Sequence, residues 1–277
     1  MHELEGFLLP LEGGGRFCLY YPPAGEAIGA ALYVHPFAEE MNKARRMAAL
    51  QARALSAAGF AVLQIDLMGC GDSAGEFGDA SWEGWVRDVV AGIRWLRERT
   101  GRVPLLWGLR SGCLLACAAA EAEPITDFVL WQPVTSGRQH LQQFLRLVVA
   151  GRALGRADAQ QAGTAELRAA LAGGASVDIA GYPVAPTLAL GLDAANLSLA
   201  AGRARVAWLE VTTSTPPALS PAGQQRVAEW RAAGHSVTAV AVPGLAFWQT
   251  QEIAECPALI EATASIVRGW GAQPSMP

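Results

Sequence analysis

Lysine is all but missing from this chain: Lys43 is the one lysine, and every other basic residue is arginine. Charge of both signs is scarce, at 17%, and the formal net charge is only −4. Without a basic cluster, nucleic acid is excluded as the main partner, because phosphate binding needs concentrated positive charge. Long apolar runs are missing too; none approaches the roughly 18–20 residues that a membrane span requires. The first residues, Met1-His2-Glu3-Leu4-Glu5, lack the basic start and apolar stretch of a secretory leader, so a cytoplasmic location is expected. Four histidines and five cysteines are spread at spacings that supply no metal-ligand set. Cys18, Cys70, Cys113, Cys117 and Cys256 sit in apolar surroundings and read as buried free thiols. No metal and no cofactor is expected.

What the chain does have is apolar side chain: 52% of 277 residues, with a mean hydropathy of +0.22. That excludes disorder and suits one large domain, or a core with a substantial insertion. Two alternating runs, Leu4–Leu11 and Arg16–Tyr21, joined by Gly13-Gly14-Gly15, predict a hairpin. Strands follow at Ala30–Val34, Phe60–Asp66, Val103–Trp107 and Phe128–Trp131, separated by helices at Lys43–Ala58, from Ser81 onward, and at Ser111–Ala120. The rhythm then breaks. From about 135 to 205 there are helical pieces (Gln139–Ala150, Thr164–Ala172) but no buried strand. Alternation resumes with Ala204–Val211, a helix Pro221–Ala233, the strand Ser236–Val242 and a helix Pro257–Trp270. This order predicts an α/β fold: a mostly parallel twisted sheet flanked by helices, with residues 1–134 and 206–277 as the core. Residues 135–205 are expected to form a helical cap near the strands' carboxyl ends, where open α/β sheets bind ligands.

Between a strand and a helix, Gly108-Leu109-Arg110-Ser111-Gly112 has the glycine frame of a nucleophile elbow. Arginine, not a nucleophile, holds the middle position. Shifting the frame to centre Ser111 would need glycines where Leu109 and Cys113 stand. A helix turns about 100° per residue, so the Ser111 hydroxyl should leave the line Arg110 takes. The wider order of motifs resembles the α/β-hydrolase superfamily: Val34-His35-Pro36-Phe37 is similar to its oxyanion loop, and Asp66-Leu67-Met68-Gly69-Cys70-Gly71-Asp72-Ser73-Ala74-Gly75 to a glycine-rich turn of its lipases and peptidases. Four blocks, His35–Asn42, Gly69–Ser73, Gly108–Arg110 and Phe247–Ile253, more closely resemble the second hydrolase family associated with the exosortase A system. That resemblance implies an α/β-hydrolase fold with a pocket, beside exopolysaccharide and PEP-CTERM protein-sorting loci.

In such a fold the base should follow the last strand and the acid the strand before it. The loop Pro243–Trp248 has no histidine, and Thr212–Pro217 has no carboxylate; Glu210 lies within the strand. His235 precedes the last strand, His140 is in the insertion, and His35 belongs to the oxyanion loop. Losing a nucleophile or base on which a hydrolase depends costs about 10⁶ in turnover, whereas an oxyanion hole and binding retain about 10³–10⁴ over water. Arg110 reads either as an anion clamp at a helix N-terminus or as a plug paired with a carboxylate; Glu39, Glu40 and Glu210 are its candidate partners. Glu39 and Glu40 read as ion-pairing with Arg45 or Arg46, or as an acid–base pair. Ser73 reads as a turn residue or a second candidate nucleophile, and Phe247 with Trp248 as an aromatic wall. The expected pocket is therefore His35, Phe37, Glu39, Glu40, Ser73, Glu210, Phe247 and Trp248 around Arg110 and Ser111. Two expectations follow: a protein that binds a small acidic saccharide or acyl ligand with little ester hydrolysis, or an acyl-ester or related hydrolase using Ser111, Ser73 or a non-classical residue set in which Arg110 stabilises developing negative charge.

Overall fold

A computed structural model describes residues 3–155, 163–199 and 202–271. Met1 and His2, which belong to the leader reading, and parts of the insertion (156–162, 200–201) lie outside the described residues. Two antiparallel strands open the chain, β1 (Glu5–Leu11) and β2 (Gly14–Tyr21). The alternating units follow as β3 (Gly29–Val34), α1 (Glu39–Ala57), β4 (Phe60–Ile65), α2 (Trp82–Thr100), β5 (Leu105–Leu109), α3 (Gly112–Ala119) and β6 (Asp127–Trp131). Next come α4 (Gly137–Gly155), α5 (Thr164–Ala172), a hairpin β7 (Val177–Ile179) and β8 (Tyr182–Val184), and α6 (Pro186–Ala194). The core resumes with β9 (Arg205–Thr212), α7 (Pro221–Ala232), β10 (Ser236–Pro243) and α8 (Pro257–Gly271).

The strands form one eight-stranded sheet in the order β1-β2-β4-β3-β5-β6-β9-β10, parallel from β4 onward. Buried side chains divide between its faces. Met47, Ala48 and Leu55 of α1 and Leu259 and Val267 of α8 cover one, while Trp85, Val89 and Ile93 of α2, the α3 residues and Trp230 of α7 cover the other. A parallel sheet buried on both faces needs near-continuous apolar strands, as in Leu105–Leu109, where every residue is buried. This is the α/β-hydrolase fold. The buried Arg16–Asp88 ion pair, 2.8 Å between Nε and Oδ2, ties β2 to α2. Asp88 Oδ2 also accepts the Met68 N–H, so the charges are not left to each other alone.

Three local expectations need correction. Helix α1 begins at Glu39, four residues before Lys43, so Glu39 and Glu40 occupy its first turn and not a loop. Its N-cap, Ala38, offers no side-chain acceptor, hence no capping signal in the sequence. Strand β5 runs Leu105–Leu109 instead of Val103–Trp107, because pairing with β3 and β6 extends to Gly108 and Leu109. The stretch expected to lack strands contains β7 and β8, each only three residues long and separate from the main sheet. Their turn uses Ala180 and Gly181, both at positive φ, where asparagine would have been the recognisable residue. The stem of this region is closed by the Gly137 N–H to Ala195 O and Leu197 N–H to Thr135 O bonds.

Candidate functional site

Arg110 stands at the carboxyl end of β5 with φ of 55°, the left-handed region that costs a non-glycine residue roughly 1–2 kcal/mol. Backbone bonds hold it there. Its N–H donates to Trp131 O at 3.0 Å, and its carbonyl accepts from Cys113 N at 3.1 Å. The flanking glycines are steric requirements: a Cβ on Gly108 would lie 2.7 Å from Cys113 N, and one on Gly112 would collide with Val34 O. The sharp turn projects the arginine side chain toward the first turn of α1. There Arg110 Nε donates to Glu40 Oε1 at 3.1 Å, and the guanidinium carbon lies 5.6 Å from the Trp248 ring centroid. Both side chains of the ion pair are largely buried. Arg110 Nε is the nitrogen bonded; the terminal amino groups make no hydrogen bond among the described residues.

The third member comes from the insertion. His140 of α4 is 1% exposed, and its Nε2 stands 3.9 Å from Glu40 Oε2, too far for a hydrogen bond. Glu40 Oε2 and both ring nitrogens of His140 are buried without a hydrogen-bond partner among the described residues. Burial and the nearby Arg110 charge push the His140 pKa well below its ordinary value, so the ring is neutral at pH 7. Burial raises the Glu40 pKa, while the Arg110 charge and hydrogen bond pull it back. Phe37 and Phe144 meet the His140 ring edge-on, with centroids 6.4 and 5.0 Å away. His140 is not among the pocket residues expected from sequence; its spacing with the buried Leu141, Phe144 and Leu145 on one helix face is the signal that it points inward.

The other expected residues divide sharply. Phe37 is buried against Phe77, Trp85 and Phe144. Phe247 packs edge-on against both Trp131 and Trp248. Glu39 is exposed, and its Oε2 accepts from Tyr182 OH at 2.9 Å and Asn42 Nδ2 at 3.2 Å, joining α1 to β8. Burial and the Glu39 carboxylate push the Tyr182 hydroxyl up to about 12. Arg45 and Arg46, once the presumed partners of Glu39 and Glu40, pair instead with Asp66 and Glu255.

Four residues do not join the site. Ser111 is buried, and its Oγ accepts the Phe37 N–H at 3.0 Å. Among the described residues the hydroxyl makes no hydrogen bond to a His, Asp or Glu side chain. Ser73 Oγ donates to Asp66 O and accepts the Phe17 N–H, tying the glycine-rich turn to β2. His35 is locked between Pro36 O at 2.8 Å and the Leu67 N–H at 3.2 Å, and burial holds its pKa down. Glu210 cannot reach Arg110, because strand alternation turns it to the Trp208 side of the sheet. It accepts from Trp208 Nε1 at 2.8 Å and Ser220 N at 2.7 Å.

Among the described residues no three His, Cys, Asp or Glu side chains are grouped to hold a metal ion. No described helix is long and apolar enough to cross a membrane.

Comparison with known proteins gives the same architecture. Est1E from Butyrivibrio proteoclasticus, solved with ferulic acid bound, superposes with a TM-score of 0.65 at 13% identity, covering 96% of this chain and 100% of that one. A carboxyl esterase from Bacillus coagulans gives 0.64 at 16% identity, with 97% and 99% covered. XC6422 from Xanthomonas campestris, a lidless serine hydrolase, gives 0.60 at 17%, with 100% and 98% covered. Among curated proteins, human Protein ABHD12B is 32% identical over 131 residues, which are 44% of this chain. The match spans about a third (34%) of that relative's length. The family of serine aminopeptidases, S33, matches residues 25–167, a stretch that holds the oxyanion loop, the glycine-rich turn, the elbow and His140. It is to this family, within the α/β-hydrolase superfamily, that the chain belongs.

Proposed function

We propose that the chain is a ligand-binding member of its family, holding a small anionic molecule at Arg110 and hydrolysing ordinary esters little or not at all. One observation carries this reading: Arg110 spends a single nitrogen on Glu40 and keeps its terminal amino groups free of hydrogen bonds among the described residues. A plug would be expected to use the whole fork; a clamp leaves two parallel donors for a carboxylate or phosphate. The N-terminus of α3 behind Arg110 favours negative charge in the same place. The triad is degenerate in this reading, with arginine at the elbow, no carboxylate in Thr212–Pro217 and no histidine in Pro243–Trp248. Residues 135–205 act as the cap, contributing His140. The ligand is a small acidic saccharide or acyl compound, and the resemblance of four sequence blocks to an exosortase-associated family supports a role beside exopolysaccharide and protein-sorting systems. Five buried free thiols suit the reducing cytoplasm.

The test combines turnover and binding. Purified protein is assayed on p-nitrophenyl acetate and butyrate, treated with a fluorophosphonate probe, and titrated with carboxylated and phosphorylated small molecules. Turnover far below the usual range of about 1–10³ per second is expected, with no labelling, and with anion binding that Arg110→Ala abolishes. The family and its esterase neighbours favour the second reading, an acyl-ester hydrolase. Ordinary turnover lost in Ser111→Ala or Ser73→Ala, together with probe labelling, would establish it.

A further inference from the structure

Two recognition points share one carboxylate. Glu40 Oε1 faces Arg110 Nε at 3.1 Å, while Oε2 faces His140 Nε2 at 3.9 Å with nothing bonded between them. Glu40 Oε2 and His140 Nε2 face each other buried and unpartnered among the described residues, a standing cost that a bound group would relieve. From this arrangement we infer that the ligand is an α-hydroxy carboxylate, its carboxylate on the terminal amino groups of Arg110 and its hydroxyl between Glu40 and His140. The inference rests on the anion-holding role of Arg110 proposed above.

The choice of a hydroxyl follows from donor and acceptor counting. Glu40 Oε2 only accepts, and the neutral imidazole of His140 can offer one N–H. A hydroxyl donates to the first and accepts from the second at once. The Glu40 carboxylate facing Nε2 favours the tautomer that carries its proton on that nitrogen. To this pair a carbonyl brings no proton for Glu40, an ammonium no acceptor for the N–H, and a second carboxylate would face Glu40 with like charge. Because both points lie on the two oxygens of a single carboxylate, the hydroxyl is placed on the carbon next to the ligand's anionic group. Glu40 and His140 are closed to solvent here, so binding requires their side chains to rotate apart. The Trp248 face at Arg110 and the Phe37 and Phe144 rings at His140 make the surroundings of the two points aromatic.

Calorimetric titration with matched acids tests this: lactate against propionate, and mandelate against phenylacetate. In the wild type the hydroxyl is expected to tighten binding by about 10- to 100-fold, the worth of hydrogen bonds that involve a charged group. His140→Phe keeps a ring among Phe37 and Phe144, and should retain the plain acids while losing the hydroxyl preference. Glu40→Gln provides a second variant with the same expected loss. Arg110→Ala should lose both kinds of acid. Equal affinity for hydroxylated and plain acids in the wild type would overturn the hydroxyl assignment and leave the anion clamp standing, with water as the occupant of the gap. Absence of binding to any of the four would overturn the clamp and this inference together.

Discussion

Replacing Arg110 tests first of all what happens to Glu40, whose carboxylate would stay buried with its charge unanswered. Arg110→Ala is expected to cost about 3–5 kcal/mol at neutral pH, the usual loss when half of a buried pair is removed. The deficit should shrink on acidification. A carboxyl whose folded-state pKa is raised contributes most below its ordinary value and loses that contribution as pH rises through the raised one. Without Arg110 the pKa rises further, so urea unfolding at pH 5 should show a smaller gap from wild type than at pH 7.5. A gap that does not change with pH would sink this account. His140 has the opposite sign. Its folded pKa is depressed, so its contribution is intact above about 6.5 and is lost as pH falls through the folded value. His140→Phe should therefore flatten the acid side of the stability profile. It should also raise stability at pH 7.5 by about 1 kcal/mol, because two unpartnered buried nitrogens disappear. A lower melting temperature in that variant at pH 7.5 would mean that the ring nitrogens are satisfied in solution.

At the scale of elements, polar side chains sit at the joints. Glu210 fastens β9 to the start of α7, accepting from Trp208 Nε1, Ser220 N and Ser220 Oγ. Glu210→Ala leaves the buried indole N–H and the helix-entry amide without acceptors, and a loss of about 2–4 kcal/mol is expected in chemical denaturation, with turnover and ligand binding unaffected in the folded fraction. Tyr182 and Asn42 meet at Glu39 across the boundary between the hairpin β7–β8 and α1. Tyr182→Phe removes one exposed hydroxyl, so the global cost should be within about 1 kcal/mol. Its effect should appear locally. Amide exchange at 177–184 is expected to speed up while β5 and β6 stay protected; uniform acceleration across the sheet would show that the contact serves the whole fold. The elements also mark where reading a sequence reaches its end. Helix α2 was legible through its start near Ser81 and its apolar spacing; the fold adds the Ser81 side-chain cap and Gly101 at the C-cap. Helix α1 concealed four residues because Ala38 caps nothing, and those four carry Glu39 and Glu40 into the helix.

At the scale of the molecule, five cysteines without a disulfide lie beneath the surface on both faces of the sheet. Burial pushes the Cys18 and Cys117 thiols up to about 12 and raises the others as well, which keeps the reactive thiolate form negligible at neutral pH. A disulfide reagent such as DTNB should find almost no reactive thiol in the native protein and five per chain in denaturant. Fast titration of one thiol without denaturant would place that cysteine on a segment that opens locally.

The order of the core strands and helices was already determined by the sequence, because apolar periodicity is a local property: buried strands must be apolar throughout and covering helices must carry a stripe. The elbow was legible for the same reason, its glycines being required by close backbone approach within a few residues. Where the side chains around it lead was not. Ser111, next to the elbow, is drawn off by an amide of the oxyanion loop, and Glu210 is turned to the other sheet face by the two-residue period of a strand. Glu40 and His140, far apart in the chain and on different elements, meet only when the insertion packs above α1. Hydrogen-bond partners, burial and the resulting proton affinities depend on distances between such elements, and those distances exist only in the folded molecule.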